Sequence, residues 1–126
     1  RAPVVVSHGG VKGTCDNVRN LGDDHLRAVA ASGGVVGIGY WDAAICDVSM
    51  KGVVAAIRYA AEVAGIDHVG LGSDFDGATT TPFDTADLPQ LTQALLDAGV
   101  PVAHIRKIMG DNVRRVLMET LPPGAG

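Results

Sequence analysis

Three groups in this chain combine a reactive side chain with a position suited to chemistry. His8 closes the apolar run Pro3-Val4-Val5-Val6-Ser7-His8 and is followed by Gly9-Gly10. A neutral imidazole at a strand end is a common metal ligand, for zinc above all. The plainer alternative is a hydrogen-bonded structural histidine. Asp74 and Asp76 stand two apart in Gly72-Ser73-Asp74-Phe75-Asp76-Gly77. On an extended segment that spacing points both carboxylates the same way. They could then bind metal, hold an ammonium group or move a proton. The alternative is a solvated turn, since Asp and Gly are turn residues. Asp74 comes first and so lies nearer the strand end. Arg19, beside Asn20, could clamp a carboxylate through two parallel hydrogen bonds, or be an ordinary surface arginine.

The elements that must position these groups follow a repeated pattern of apolar run, polar loop and amphipathic helix. The β-branched residues before His8 predict a strand buried on both faces. A loop runs to about Asn20. Asp23 or Asp24 can cap a helix with Leu26, Val29 and Ala30 on its apolar face, ended by Gly33-Gly34. Residues 35–40 predict a second strand and residues 41–48 a loop. Ser49 is the expected N-cap of a helix that stops near Gly65. Residues 68–72 predict the third strand, followed by a long polar loop and a helix over residues 88–98. Pro101 suits the first turn of a short helix, Gly110 breaks it, and Asp111 or Asn112 starts the last one. Alternating strands and helices predict parallel βα units, with reactive groups at the C-terminal strand ends. A complete (β/α)8 barrel takes about 250 residues, so three units are less than half of one. The expected forms are a barrel fragment, a small layered sheet with open edges, or a piece completed by association, including a homo-oligomer. His25 and His104 fall on predicted helices and His68 at the far end of its strand. All three read as structural or exposed. Gly70-Leu71-Gly72 lacks the spacing of a dinucleotide fingerprint, and no Gly-x-Ser-x-Gly elbow occurs.

Composition narrows the function. The 126 residues are 47% hydrophobic and only 4% aromatic, with a net charge of −4. Nucleic acid is excluded as an expected partner, because such binding needs clustered Lys and Arg. No apolar run approaches the roughly 18 residues of a transmembrane segment. The opening Arg1-Ala2-Pro3-Val4 is neither an initiator methionine nor a signal peptide, and reads as cut from something longer. The favoured reading of Cys15 and Cys46 is two free thiols of a cytoplasmic protein. The alternative is a disulfide, because adjacent strands would bring the loops that carry them side by side.

Four segments together resemble the membrane (renal) dipeptidase family in order and spacing. They are Val6-Ser7-His8 after Arg1-Ala2-Pro3, Arg19-Asn20, Gly72-Ser73-Asp74-Phe75-Asp76-Gly77, and Gly110-Asp111-Asn112-Val113-Arg114-Arg115-Val116. The likeness covers essentially the whole chain, and the Gly-Ser-Asp-Phe-Asp-Gly segment is its most specific part. It implies an α/β fold in which residues 1–126 form the C-terminal three βα units of a (β/α)8 TIM-like barrel. It further implies a zinc metallopeptidase that hydrolyses dipeptides, often accepting a D-residue on the C-terminal side, with two zinc ions bridged by a glutamate. On this resemblance His8 is a metal ligand, Arg19 faces the substrate carboxylate and reaction centre, and Asp74 is the catalytic carboxylate near the substrate amino group. The family's His-x-Asp pair, bridging glutamate and first strand-end histidine have no counterpart here. Gly9-Gly10 stands where small hydroxyl residues are common. One histidine and one aspartate are fewer than the three protein ligands usual in catalytic zinc sites. The chain alone is therefore expected to be inactive. Two other readings are an amidohydrolase-type barrel acting on an amide, ester or lactone, and a non-catalytic barrel-derived module.

Overall fold

Valine-rich strands and glycine-ended helices alternate in a computed structural model that describes residues 2–124. Arg1, the first residue of the dipeptidase-like segment, lies outside the described residues. The strands are β1 (Val5–Gly9), β2 (Val35–Ile38) and β3 (Val69–Leu71). They pair in parallel in the order β1-β2-β3, so all three C-terminal ends lie at one face. The helices are α1 (Asp23–Ala31), α2 (Asp42–Ile45), α3 (Met50–Ala64), α4 (Leu88–Asp97), α5 (Val102–Arg106) and α6 (Asn112–Thr120). The α/β architecture expected from the sequence is thus present.

Local chemistry sets the helix bounds. The Ser49 hydroxyl accepts the Gly52 N–H at 3.1 Å and starts α3. Gly65, with φ of 94°, ends it, and Gly33, with φ of 81°, follows α1; both are backbones that favour glycine. At α1 the expected aspartate cap is replaced by Gly22, and Asp23 and Asp24 occupy the first turn. There they still complement the positive end of the helix dipole. The expected loop over residues 41–48 contains the short helix α2. The last two helices, α5 and α6, are separated by a kink within Lys107–Asp111, where Gly110 leaves helical geometry (φ 176°, ψ −29°) and breaks the helix as expected.

The core lies between the sheet and α1, α3 and α4. Val36, Ile38, Val53, Ile57, Leu91 and Leu95 are fully buried there. β2 is buried along its length. β1 is not: Val5 is 55% exposed, because among the described residues β1 is an edge strand of the sheet. The expectation that β1 is covered on both faces therefore fails, and it is the middle strand β2 that is covered.

Two features close the strand ends on one another. Between the pairs Val6–Val36 and Gly9–Ile38, β1 takes three steps where β2 takes two. The extra residue is a β-bulge around Ser7 and His8, a device that re-aims a side chain. Glycines then let the backbones approach. A Cβ on Gly37 would lie 2.4 Å from the Ser7 carbonyl oxygen, and one on Gly72 would lie 2.2 Å from that oxygen and 2.8 Å from His8 Cα.

The opposite end is held by polar side chains. Asn112, buried, donates to the carbonyls of Ile66 (2.7 Å) and Val69 (2.8 Å). Arg115 donates to those of Gly33 and Asp67, both at 2.9 Å. Lys107 pairs with Asp67 at 2.6 Å, and this hydrogen bond is the main cause holding the Asp67 carboxyl below its ordinary range. His68 Nδ1 bonds the Gly34 carbonyl at 2.8 Å, the structural role expected of it.

Cys15 and Cys46 form a disulfide with a Cα separation of 5.4 Å. The free-thiol reading is overturned, and with it the basis for favouring the cytoplasm. The loop after β1 and the segment after β2 do lie together, which brings the two sulfurs within bonding reach.

Two outcomes test this packing. Reducing the disulfide, or replacing both cysteines with serine, should lower unfolding free energy by about 3–4 kcal/mol, as loop entropy predicts for a closed loop of 31 residues. Denaturant melts with and without reductant would measure it. Gly72→Ala should destabilise by roughly 1–3 kcal/mol through overpacking. Gly110→Ala should be near neutral, since nothing lies within 4 Å of its Cβ position. Equal melting temperatures for the two variants would contradict the close approach.

Candidate active site

His8 is solvent-exposed at the bulged end of β1. Its Nδ1 shares a 2.8 Å hydrogen bond with the Ser7 hydroxyl. With Nδ1 as donor, Nε2 keeps a free lone pair for a metal. The ring meets the edge of Trp41 at a centroid distance of 5.8 Å.

Arg19 projects from the loop after β1. That loop is tied down by two asparagines. Asn17 Oδ1 accepts the N–H groups of Arg19 (3.0 Å) and Asn20 (3.1 Å), and its amide donates to the Ala43 carbonyl at 2.8 Å. Asn20 is buried and its amide reaches the carbonyls of Cys15, Ala43 and Ala44 at 2.8–3.1 Å. Gly10 makes room for this knot: a Cβ there would lie 2.0 Å from the Ala44 carbonyl oxygen. The Arg19 guanidinium carbon sits 5.1 Å from the Trp41 ring centroid. Among the described residues its guanidinium forms no ion pair, so its donors remain available.

Asp74 follows β3 by three residues. It adopts a left-handed backbone, φ of 56°, which Asp tolerates better than most residues. Its carbonyl accepts the Gly77 N–H at 2.9 Å and the Thr79 hydroxyl at 3.0 Å, closing a turn. The expected extended pair of carboxylates is therefore replaced by a turn, in which Asp76 is exposed. Gly77 leaves space for the Asp74 carboxylate, both of whose oxygens would lie 2.6 Å from a Cβ. Phe75 anchors the turn, packing edge-on against Tyr40 at 5.6 Å and near Phe83 at 6.3 Å. Burial pushes the Tyr40 phenol well above its ordinary range, so it stays neutral.

These loops enclose a cleft of about 700 Å³ lined by Arg19, Trp41, Asp42, Asp74, Thr79 and Thr80 among others. Arg19 and Asp74 therefore face one cavity, and His8 adjoins it through Trp41. A second cavity of about 590 Å³, lined by Tyr59, Val100 and His104, contains none of the three candidate residues. Sequence reasoning missed Trp41 and Asp42. The available signal was an aromatic and a carboxylate directly after the second strand, at the face where reactive groups gather.

The cleft offers a cation and a carboxylate to a small zwitterion. It does not offer a metal centre by itself. Among the described residues no three of His, Cys, Asp and Glu come together. His8 fits a single coordination position.

The profile of the family described as Membrane dipeptidase (Peptidase family M19) matches residues 1–121. The dipeptidase aclJ of Aspergillus oryzae is 39% identical over 125 residues, covering 93% of this chain and 30% of that protein. The crystal structure of a metallo peptidase from Rhodobacter sphaeroides, liganded with a phosphinate mimic of the dipeptide L-Ala-D-Ala, superposes with a TM-score of 0.87 at 30% identity. It covers 95% of this chain, which spans 37% of it. The dipeptidase AC, an M19 metallo peptidase, gives a TM-score of 0.84 at 30% identity over 92% of this chain and 37% of its own. The chain thus spans about a third of the length of these relatives. With a profile match over nearly its whole length and the same parallel βα core, the chain belongs to the membrane dipeptidase family, M19.

Proposed function

We propose that these residues are the C-terminal three βα units of a zinc-dependent dipeptidase, and that they supply the substrate-binding half of its active site. The observation that carries the reading is the shared cleft, in which a guanidinium that forms no ion pair among the described residues and a carboxylate stand at the C-terminal ends of parallel strands. A dipeptide carries one ammonium and one carboxylate at a fixed separation. Arg19 captures the carboxylate with paired N–H donors. Asp74 receives the ammonium group and exchanges protons near the scissile amide. His8 contributes one nitrogen to zinc through Nε2, and the remaining ligands come from outside these residues. Two zinc ions are expected in the complete centre. The Rhodobacter sphaeroides peptidase, liganded with a mimic of L-Ala-D-Ala, supports a dipeptide with a D-residue on its C-terminal side.

Two readings compete: a barrel hydrolase that acts on amides, esters or lactones without charged ends, and a non-catalytic module. In the complete enzyme, Arg19→Ala should raise KM for free dipeptides by roughly 10–100-fold, the size of a charged hydrogen bond. It should change hydrolysis of C-terminally amidated dipeptides far less. Asp74→Asn should lower kcat by roughly 10²–10⁴-fold. Steady-state kinetics on paired free and amidated substrates would check both, and equal effects on the two substrates would favour the uncharged-substrate hydrolase. The 126-residue chain by itself should show no dipeptide turnover and only weak zinc binding by calorimetry. Tight binding of two ions by the chain alone would contradict the assignment of its ligands.

A further inference from the structure

We infer that Trp41 is the positioning residue that holds Arg19 in register with His8, and so fixes where the substrate carboxylate sits relative to the metal side of the cleft. The inference rests on the reading of Arg19 and His8 given above. It follows from three observations that converge on one ring.

The indole touches both groups at once. Its edge meets the His8 imidazole at 5.8 Å with a 60° interplanar angle. The Arg19 guanidinium lies over it at 5.1 Å, within the range of a cation–π contact.

The indole cannot easily move. It is only 4% exposed. Gly39 leaves the slot it occupies, since a Cβ there would lie 2.1 Å from the indole Cζ3. The Trp41 carbonyl accepts the N–H groups of Ala44 (3.0 Å) and Ile45 (3.1 Å) at the start of α2. The Cys15–Cys46 disulfide and the Asn17 and Asn20 amides bind that turn to the Arg19 loop.

The arginine, in contrast, needs a support. Arg19 is exposed and its guanidinium forms no ion pair among the described residues. A long side chain of this kind loses considerable rotamer freedom when it clamps a ligand. Resting on a rigid indole removes part of that loss beforehand, and it leaves the edge N–H donors facing outward for a planar carboxylate. Trp41 lines the cleft but is only 4% exposed, so it acts mainly through Arg19.

The test has two arms. In the complete enzyme, Trp41→Ala should raise KM for free dipeptides about tenfold, near the upper end of a cation–π contact. It should change kcat less than KM and leave amidated dipeptides less affected. Trp41→Phe should recover most of the loss, because it restores an aromatic face. In the 126-residue chain Trp41 is the sole tryptophan, so its fluorescence reports this cluster directly. Arg19→Ala should red-shift that emission as the ring loses its cover, and Arg19→Lys should shift it less. If Arg19→Ala raises KM while Trp41→Ala does not, if Trp41→Phe loses as much as Trp41→Ala, or if emission ignores Arg19, the positioning role is overturned and the Arg19 reading survives. If Arg19→Ala itself leaves KM unchanged, the reading beneath it fails.

Discussion

Close backbone packing at the C-terminal ends of the three strands is the constraint on which the site depends. Parallel pairing aligns those ends, but ordinary side chains would keep the neighbouring backbones apart. Gly37 and Gly72 remove the obstacle, and the Ser7 carbonyl oxygen occupies the space of two missing Cβ atoms. Asp74 lies two residues beyond Gly72, and Gly72 rests against His8. The proximity of the histidine segment to the aspartate turn is therefore a consequence of two absent side chains. The bulge in β1 adds the second element, because one extra residue in the strand turns the Ser7–His8 pair relative to its neighbours.

The rest of the chain holds this arrangement from two directions. Above the strand ends, Asn17, Asn20 and the Cys15–Cys46 disulfide weld the Arg19 loop to α2, so Arg19 and Trp41 face each other across a fixed gap. Below them, Asn112 and Arg115 donate to the carbonyls of Ile66, Val69, Gly33 and Asp67. The bond to the Val69 carbonyl is buried and the others lie nearer the surface, and together they tie α6 to the turns from which β2 and β3 start. The α6 motif Gly110-Asp111-Asn112-Val113-Arg114-Arg115-Val116 is thus a structural clamp at the end of the strands remote from the cleft. Its place in the family resemblance reflects the scaffold rather than the chemistry.

Much of this was legible in the residues themselves. β-branched runs and glycine stops gave the three strands and the long helices, and Ser49 capped α3 as its hydroxyl suggested. His8, Arg19 and Asp74 fell on the loops and strand end where parallel folds gather reactive groups. What escaped was set by non-local geometry. The bulge at Ser7 and His8 depends on register against β2. The left-handed turn at Asp74 breaks the alternation that would have aimed Asp76 the same way. Trp41 sat in a segment read as a loop, yet α2 fixes it. The disulfide depended on how closely two loops approach, which composition could not supply, and cysteine count alone pointed the other way. The exposed outer side of β1 was foreseen as an open edge, although its valines alone suggested full burial.

The central claim is that Arg19, Asp74 and His8 serve one dipeptide at one cleft. A crystal structure of the complete enzyme with zinc and a phosphinate dipeptide mimic tests it most directly. The account predicts the mimic's carboxylate on Arg19, its ammonium beside Asp74, and zinc on His8 Nε2, with Trp41 still stacked under the guanidinium. A mimic bound in the cavity lined by Tyr59 and His104, or a carboxylate held by groups other than Arg19, would contradict it.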